Sequence, residues 1–171
     1  IIYVGRLAQE KNLESLIRAL AGTGFGLDLV GSGKLRDKLK DQAQELNVPA
    51  LFLGSIPNEQ LPEILNQYPI FVLPSLHEGM PKTLLEAMSC GLACVGTDVS
   101  AINEVVKHEE NGLLAQTTAK SLREQITKLM TDKDLRANLS HSARQFILNN
   151  YSLDTQIEKE LVIYESIKVK I

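Results

Sequence analysis

The sequence predicts an α/β domain built on a doubly wound parallel sheet, with additional helices at its C-terminal end. Three observations support this. Short apolar, strand-like runs recur between Ile1 and Ala115. Helical patterns of apolar residues separate most of them, and each of the first four runs ends in Gly or in Pro-Ser. Runs this continuously apolar are covered on both faces, as parallel strands are. Strands alternating with helices at this spacing wind into an open sheet with helices on both sides.

The elements follow in order. Ile1–Val4 is β-branched and aromatic, as strands prefer. Leu13, Leu16, Ile17 and Leu20 fall on one helical face, and Gly22 stands where a helix ends. Leu27–Val30 is the second run and closes in Gly31-Ser32-Gly33; Leu35, Leu39, Ala43 and Leu46 mark the helix after it. Leu51–Leu53 is the third run, ended by Gly54, and Asn58 is the expected N-cap of a short helix. Ile70–Leu73 is the fourth run. A loop from Pro74 to Pro81 leads into a helix over Lys82–Ser89, with Pro81 at its first position. Ala93–Gly96 and Gly112–Ala115 are the last two runs. From Thr118 the pattern is helical throughout: Leu122, Ile126 and Leu129, then Leu135, Leu139, Ala143, Phe146 and Ile147. After a break at Tyr151-Ser152 come Ile157, Leu161, Tyr164 and Ile167. Residues 1–150 are read as one ligand-binding domain and 151–171 as a terminal helix.

Composition narrows the function. Of 171 residues, 44% are hydrophobic, enough for a core. Acidic side chains outnumber basic ones by 21 to 18, and the net charge of -3 argues against nucleic acid as a partner. Cys90 and Cys94 have the spacing of a metal or redox pair, but no further Cys or His cluster joins them. Reduced packing residues are expected, and no metal site. No apolar run is long enough for a membrane helix, and no signal peptide is visible. The chain begins at Ile1, inside its first strand, as an excised fragment would.

In a doubly wound sheet the ligand lies beyond the carboxyl ends of the strands. The loops there are Gly5–Lys11, Gly31–Gly33, Gly54–Asn58 and Pro74–Pro81. Gly31 and Gly33 form a G-x-G without the third glycine of a dinucleotide fingerprint, since Arg36 stands in its place. They either line a pocket or make a tight turn. Arg6 and Lys11 suit a diphosphate, Arg as a two-pronged donor and Lys as a point charge; as lone cations they would be ordinary surface residues. Glu78 and Glu86 are separated by seven residues. Glu86 lies one turn beyond Lys82 on the same helical face, where a carboxylate can hold a vicinal diol such as ribose. Glu78 precedes the helix, within reach of a sugar hydroxyl. The amides of the helix's first turn are expected to face the crevice and favour a phosphate.

These motifs resemble the C-terminal domain of the group-1 family of retaining glycosyltransferases of GT-B architecture. Val4-Gly5-Arg6-Leu7 with Lys11-Asn12 is similar to that family's first motif. Pro74-Ser75, Glu78-Gly79, Leu85-Glu86-Ala87-Met88 and Cys90-Gly91 are similar to its E-x7-E block, and Glu104-Val105 and Asn111-Gly112-Leu113-Leu114 to a later element. The resemblance runs in order over residues 2–150. It implies a Rossmann-like half of a two-domain enzyme, a UDP- or GDP-linked sugar as donor, no further cofactor and no metal. It implies that Arg6 and Lys11 bind the diphosphate beside Gly5, that Glu86 holds the ribose, and that Glu78 contacts the transferring sugar. It also implies that Ile56 meets the base and that the backbone of Gly79, Met80, Pro81, Lys82, Thr83 and Leu84 touches sugar and phosphate. Many members have an aromatic residue and Gly after E-G, where this chain has Met80-Pro81-Lys82, and Pro where it has Ala93.

The resemblance further implies transfer with retention of anomeric configuration. The acceptor, a sugar or lipid-linked sugar, would bind a missing N-terminal domain, so the fragment alone should be inactive. Polysaccharide or glycolipid synthesis in the cytoplasm follows, with peripheral attachment of the full-length protein to the inner membrane face. The alternatives are a non-catalytic nucleotide-sugar-binding domain, or another GT-B-type enzyme such as an epimerase or phosphorylase. The ordered E-x7-E block disfavours an epimerase, and no motif marks a pyridoxal lysine.

Overall fold

The computed structural model describes residues 1–168; residues 169–171, the end of the expected terminal helix, lie outside the described residues, as does the Ile167 side chain. Six strands form one parallel sheet: β1 (Ile2–Val4), β2 (Leu27–Val30), β3 (Ala50–Gly54), β4 (Ile70–Leu73), β5 (Ala93–Thr97) and β6 (Leu113–Ala115). Their spatial order is β3-β2-β1-β4-β5-β6. Winding from β1 to β3 runs one way and from β4 to β6 the other, so the order reverses between β1 and β4. That reversal opens the crevice in which such sheets bind ligands.

The helices are α1 (Leu13–Leu20), α2 (Arg36–Glu45), α3 (Leu61–Leu65), α4 (Lys82–Ser89), α5 (Ile102–Val105), α6 (Ala119–Thr131), α7 (Lys133–Tyr151) and α8 (Leu153–Lys168). α1 packs against α2 and α6, while α4 packs against α3 and α7. The predicted stripe of α1, Leu13, Leu16, Ile17 and Leu20, is entirely buried. Arg123 of α6 donates from Nε to the Ala19 carbonyl at 2.8 Å and from Nη2 to Ala21 at 2.7 Å. It thereby satisfies carbonyls that the last turn of α1 leaves without helical partners.

β1, β4 and β5 are buried along their whole length, as continuously apolar runs require. β3 departs from this expectation. It lies at the sheet edge, and Leu51 and Leu53 are exposed while Ala50 and Phe52 are half-buried. The caps differ from expectation too. Asn58 makes no capping bond; it opens a 3-10 turn, Asn58–Gln60, that runs into α3. Pro81 is the cap of α4 rather than its first helical residue, because its ψ of 63° is not helical and its carbonyl accepts from both Leu84 and Leu85. α5 has no counterpart in the apolar pattern, since four residues are too few to show a helical period. The two cysteines are free, Cys94 buried and Cys90 half-buried.

Candidate functional site

The loops after β1 and β4 meet at the point of reversal. The Leu76 N–H donates to the Glu10 carbonyl at 2.8 Å, joining the two loops through their backbones. Beside this seam Lys11 Nζ donates to Glu78 Oε1 at 2.5 Å. Their side chains are only 14% and 10% exposed, so the pair is largely withdrawn from water. Ser75, fully buried, donates from Oγ to the same oxygen at 2.7 Å. Thr97, at the end of β5, donates from Oγ1 to the Ser75 carbonyl at 2.5 Å. Lys11 is followed by Asn12 in the left-handed conformation (φ 54°), which ends a 3-10 turn and starts α1. The Asn12 amide donates to Thr117 at 2.9 Å and fixes this corner.

Arg6 is different in kind. Its side chain is 77% exposed and reaches Glu10 at 3.1 Å. An ion pair so open to water contributes little and is easily exchanged, which leaves the guanidinium available to an incoming anion. Its backbone is held from below: the Tyr3 hydroxyl donates to the Arg6 carbonyl at 2.8 Å. Burial pushes the Tyr3 phenol well above its usual range, so it stays a protonated donor.

Two adjoining hollows share Val4, Gly5 and Arg6. One, about 160 Å³, is lined by Lys11, Glu78, Met80, Pro81, Lys82 and Thr83. The other, about 290 Å³, is lined by Gly31, Ser32, Ser55 and Ile56. Together they form a trough across the carboxyl ends of four strands. Its floor is stitched by Gly5 N–H to Val30 O (2.9 Å), Leu7 N–H to Ser32 O (2.8 Å) and Gly31 N–H to Gly54 O (2.7 Å). The roles of the two glycines separate here. A Cβ on Gly31 would stand 1.9 Å from the Gly5 carbonyl oxygen, and one on Gly33 would stand 2.3 Å from that of Leu7. Both are needed for close approach of the loops, but only Gly31 lines the trough.

Not every expected residue joins it. Leu84 is buried in the core, and its amide donates to the Pro81 carbonyl at 3.0 Å. The Lys82 amide likewise turns onto Met80 O at 2.9 Å. The first-turn amides of α4 are therefore partly spent on the turn around Pro81, and the expectation of a freely donating helix start fails for these two. Glu86 lines a separate hollow of about 80 Å³ with Asn58, Leu61, Pro62, Leu65, Ser89 and Cys90. Burial raises its carboxyl above the usual range, against the opposing pull of Lys82. Ser75, Thr97, Tyr3 and Glu10 were not among the expected site residues. Only Ser75 carries a sequence signal, as a hydroxyl two residues beyond a wholly apolar run. No group of His, Cys, Asp or Glu among the described residues is arranged to hold a metal, and no described helix is long and apolar enough to cross a membrane.

A six-stranded parallel sheet of this order is a doubly wound, Rossmann-like α/β domain, with its cations and a carboxylate at the point of reversal where such sheets take their ligands. Residues 1–146 match the model of the family described as glycosyl transferases group 1, and the chain belongs to that family. An uncharacterised glycosyltransferase of Methanocaldococcus jannaschii is 30% identical over 172 residues, covering 96% of this chain and 44% of that protein. The UDP-Gal:alpha-D-GlcNAc-diphosphoundecaprenol alpha-1,3-galactosyltransferase of Escherichia coli is 33% identical over 138 residues, covering 80% and 35%. Among solved structures, the sucrose-phosphate synthase of Thermosynechococcus elongatus superposes with a TM-score of 0.90 at 25% identity, over 99% of this chain and 45% of that one. The chain thus spans less than half the length of these relatives, and its fold is the Rossmann-like half of a GT-B glycosyltransferase.

Proposed function

We propose that the chain is the donor-binding domain of a retaining glycosyltransferase that uses a nucleoside diphosphate sugar. The observation that carries this is the meeting of Lys11 and Glu78 at 2.5 Å beside Arg6, at the reversal point of the sheet. Cleavage of the anomeric bond leaves negative charge on the departing diphosphate. Arg6 and Lys11 oppose that charge as it grows, and so favour the transition state over the bound donor. Glu78 positions a hydroxyl of the sugar, Ile56 and Ser55 flank the base, and Glu86 accepts from a ribose that reaches out of the trough towards the hollow it shares with Asn58. The name of the Escherichia coli relative specifies a UDP-linked donor and a lipid-diphosphate acceptor, which supports the same classes here. The acceptor then binds a further domain across the crevice. The exposed Ile157, Leu161, Val162 and Tyr164 of α8 support residues 151–171 as the segment that meets it. Work on a lipid-linked acceptor would keep the intact protein at the cytoplasmic membrane face.

Calorimetric titration of the intact protein with UDP, GDP and ADP tests this. One diphosphate should bind, and Arg6→Ala should weaken it by about tenfold or more, the worth of a charge-assisted contact. Failure of all three to bind would sink the proposal.

A further inference from the structure

Glu78 is held by two donors that differ in what else they can do. Lys11 and Ser75 both bond Oε1, and the described residues give Oε2 no bond. Lys11 is a flexible cation on the wall of a hollow open towards Arg6. A diphosphate bound between Arg6 and Lys11 competes with Glu78 for the same ammonium group. The Ser75 hydroxyl has no such alternative. It is fully buried, it follows the last residue of β4 by two positions, and its carbonyl is pinned by Thr97 from the neighbouring strand.

We propose that Ser75 is a positioning residue: its hydroxyl keeps Glu78 Oε1 in place when a diphosphate draws Lys11 away, so that Oε2 stays presented to the donor's sugar. This rests on the donor-site proposal above. Ser75 itself touches neither sugar nor phosphate. It acts through Glu78, and its contribution belongs to the glycosyl part of the ligand alone. The arrangement also accounts for a buried hydroxyl just beyond a strand whose residues are all apolar.

The test compares two ligands on the intact protein: whichever of UDP, GDP and ADP binds, and the better bound of its glucose and galactose conjugates. Ser75→Ala retains the carbonyl that Thr97 holds, and Ser75→Cys refills the volume with a poor donor. Either should weaken the sugar conjugate about tenfold while changing the bare diphosphate little. In a Glu78→Gln background neither should shift that ratio further, because the effect passes through the carboxylate. A purely structural serine would weaken both ligands alike, and additively with Glu78→Gln; that result overturns the proposal, as does an unchanged ratio. If the unmodified protein binds no nucleoside diphosphate, the donor site itself is wrong. If it binds one but the ratio stays fixed, the donor site stands and only the role of Ser75 falls.

Discussion

Gly31→Ala isolates the backbone contact on which the trough is built. The new methyl carbon would lie 1.9 Å from the Gly5 carbonyl oxygen and 2.9 Å from its carbon. Both atoms are backbone and belong to the loop that carries Arg6, so no side chain can swing aside. Gly31 also has φ +133°, a conformation that L side chains rarely adopt. Overpacking a tight site costs about 1–3 kcal/mol, and holding a side chain in such backbone space costs about as much again. A combined loss of about 2–6 kcal/mol is a large share of the roughly 5–15 kcal/mol that stabilises a domain. At about 2–4 °C per kcal/mol for this size, Tm should fall by about 4–24 °C in thermal unfolding followed by circular dichroism. Gly79→Ala is the matched control, since nothing lies within 4 Å of the place its methyl would take and its φ is not positive. Its Tm should stay near that of the unmodified protein. A Gly31→Ala variant melting within about 2 °C of the parent would show that the Gly5 and Gly31 loops are not in the contact described, and the trough with them.

Two further substitutions probe the support of the site. Tyr3→Phe removes the donor that holds the Arg6 carbonyl at 2.8 Å. It should cost about 1 kcal/mol in denaturant unfolding and weaken diphosphate binding more than Tm alone suggests; unaltered binding would separate Tyr3 from the Arg6 loop. Glu86 has a carboxyl raised from its ordinary 4.5 by burial. An acid with a raised folded-state pKa disfavours folding once it must ionise. The parent should therefore lose stability relative to Glu86→Gln as pH rises from below 4.5 through the raised value. Binding of a nucleotide sugar, whose singly ionised phosphates do not titrate there, should weaken on acidification at a higher pH than an ordinary carboxylate would give, and that step should be absent in Glu86→Gln. Parallel pH profiles for the two proteins would remove Glu86 from both roles.

What was legible in the sequence follows the range of the interactions. Each strand is a short apolar run, and each long helix has a face set by residues three and four apart, so both are written locally. Burial of Leu13, Leu16, Ile17 and Leu20 follows from that spacing alone. Edges are not local. Leu51 and Leu53 look like core residues until β3 is known to lie outermost in the sheet. Caps depend on ψ at one residue, and the fold of Pro81 onto the amides of Leu84 and Leu85 has no periodic signature.

The site divides along the same line. Arg6, Lys11, Glu78 and Glu86 stood out because charged residues in loops after apolar runs are conspicuous, and their order resembled a known family. The partners that give them distinct characters did not stand out. Arg6 faces Glu10, four residues away, at an exposed surface, whereas Lys11 meets Glu78 across 67 residues in a place nearly closed to water. Two cations that read alike in the sequence thus stand in opposite electrostatic situations. The exposed pair is screened and readily exchanged. The enclosed one loses much of its stabilisation if either charge is left alone. A diphosphate can therefore recruit Arg6 at little cost, but can recruit Lys11 only if Glu78 keeps a second donor. Ser75, 2.7 Å from the same oxygen, is the group placed to be that donor.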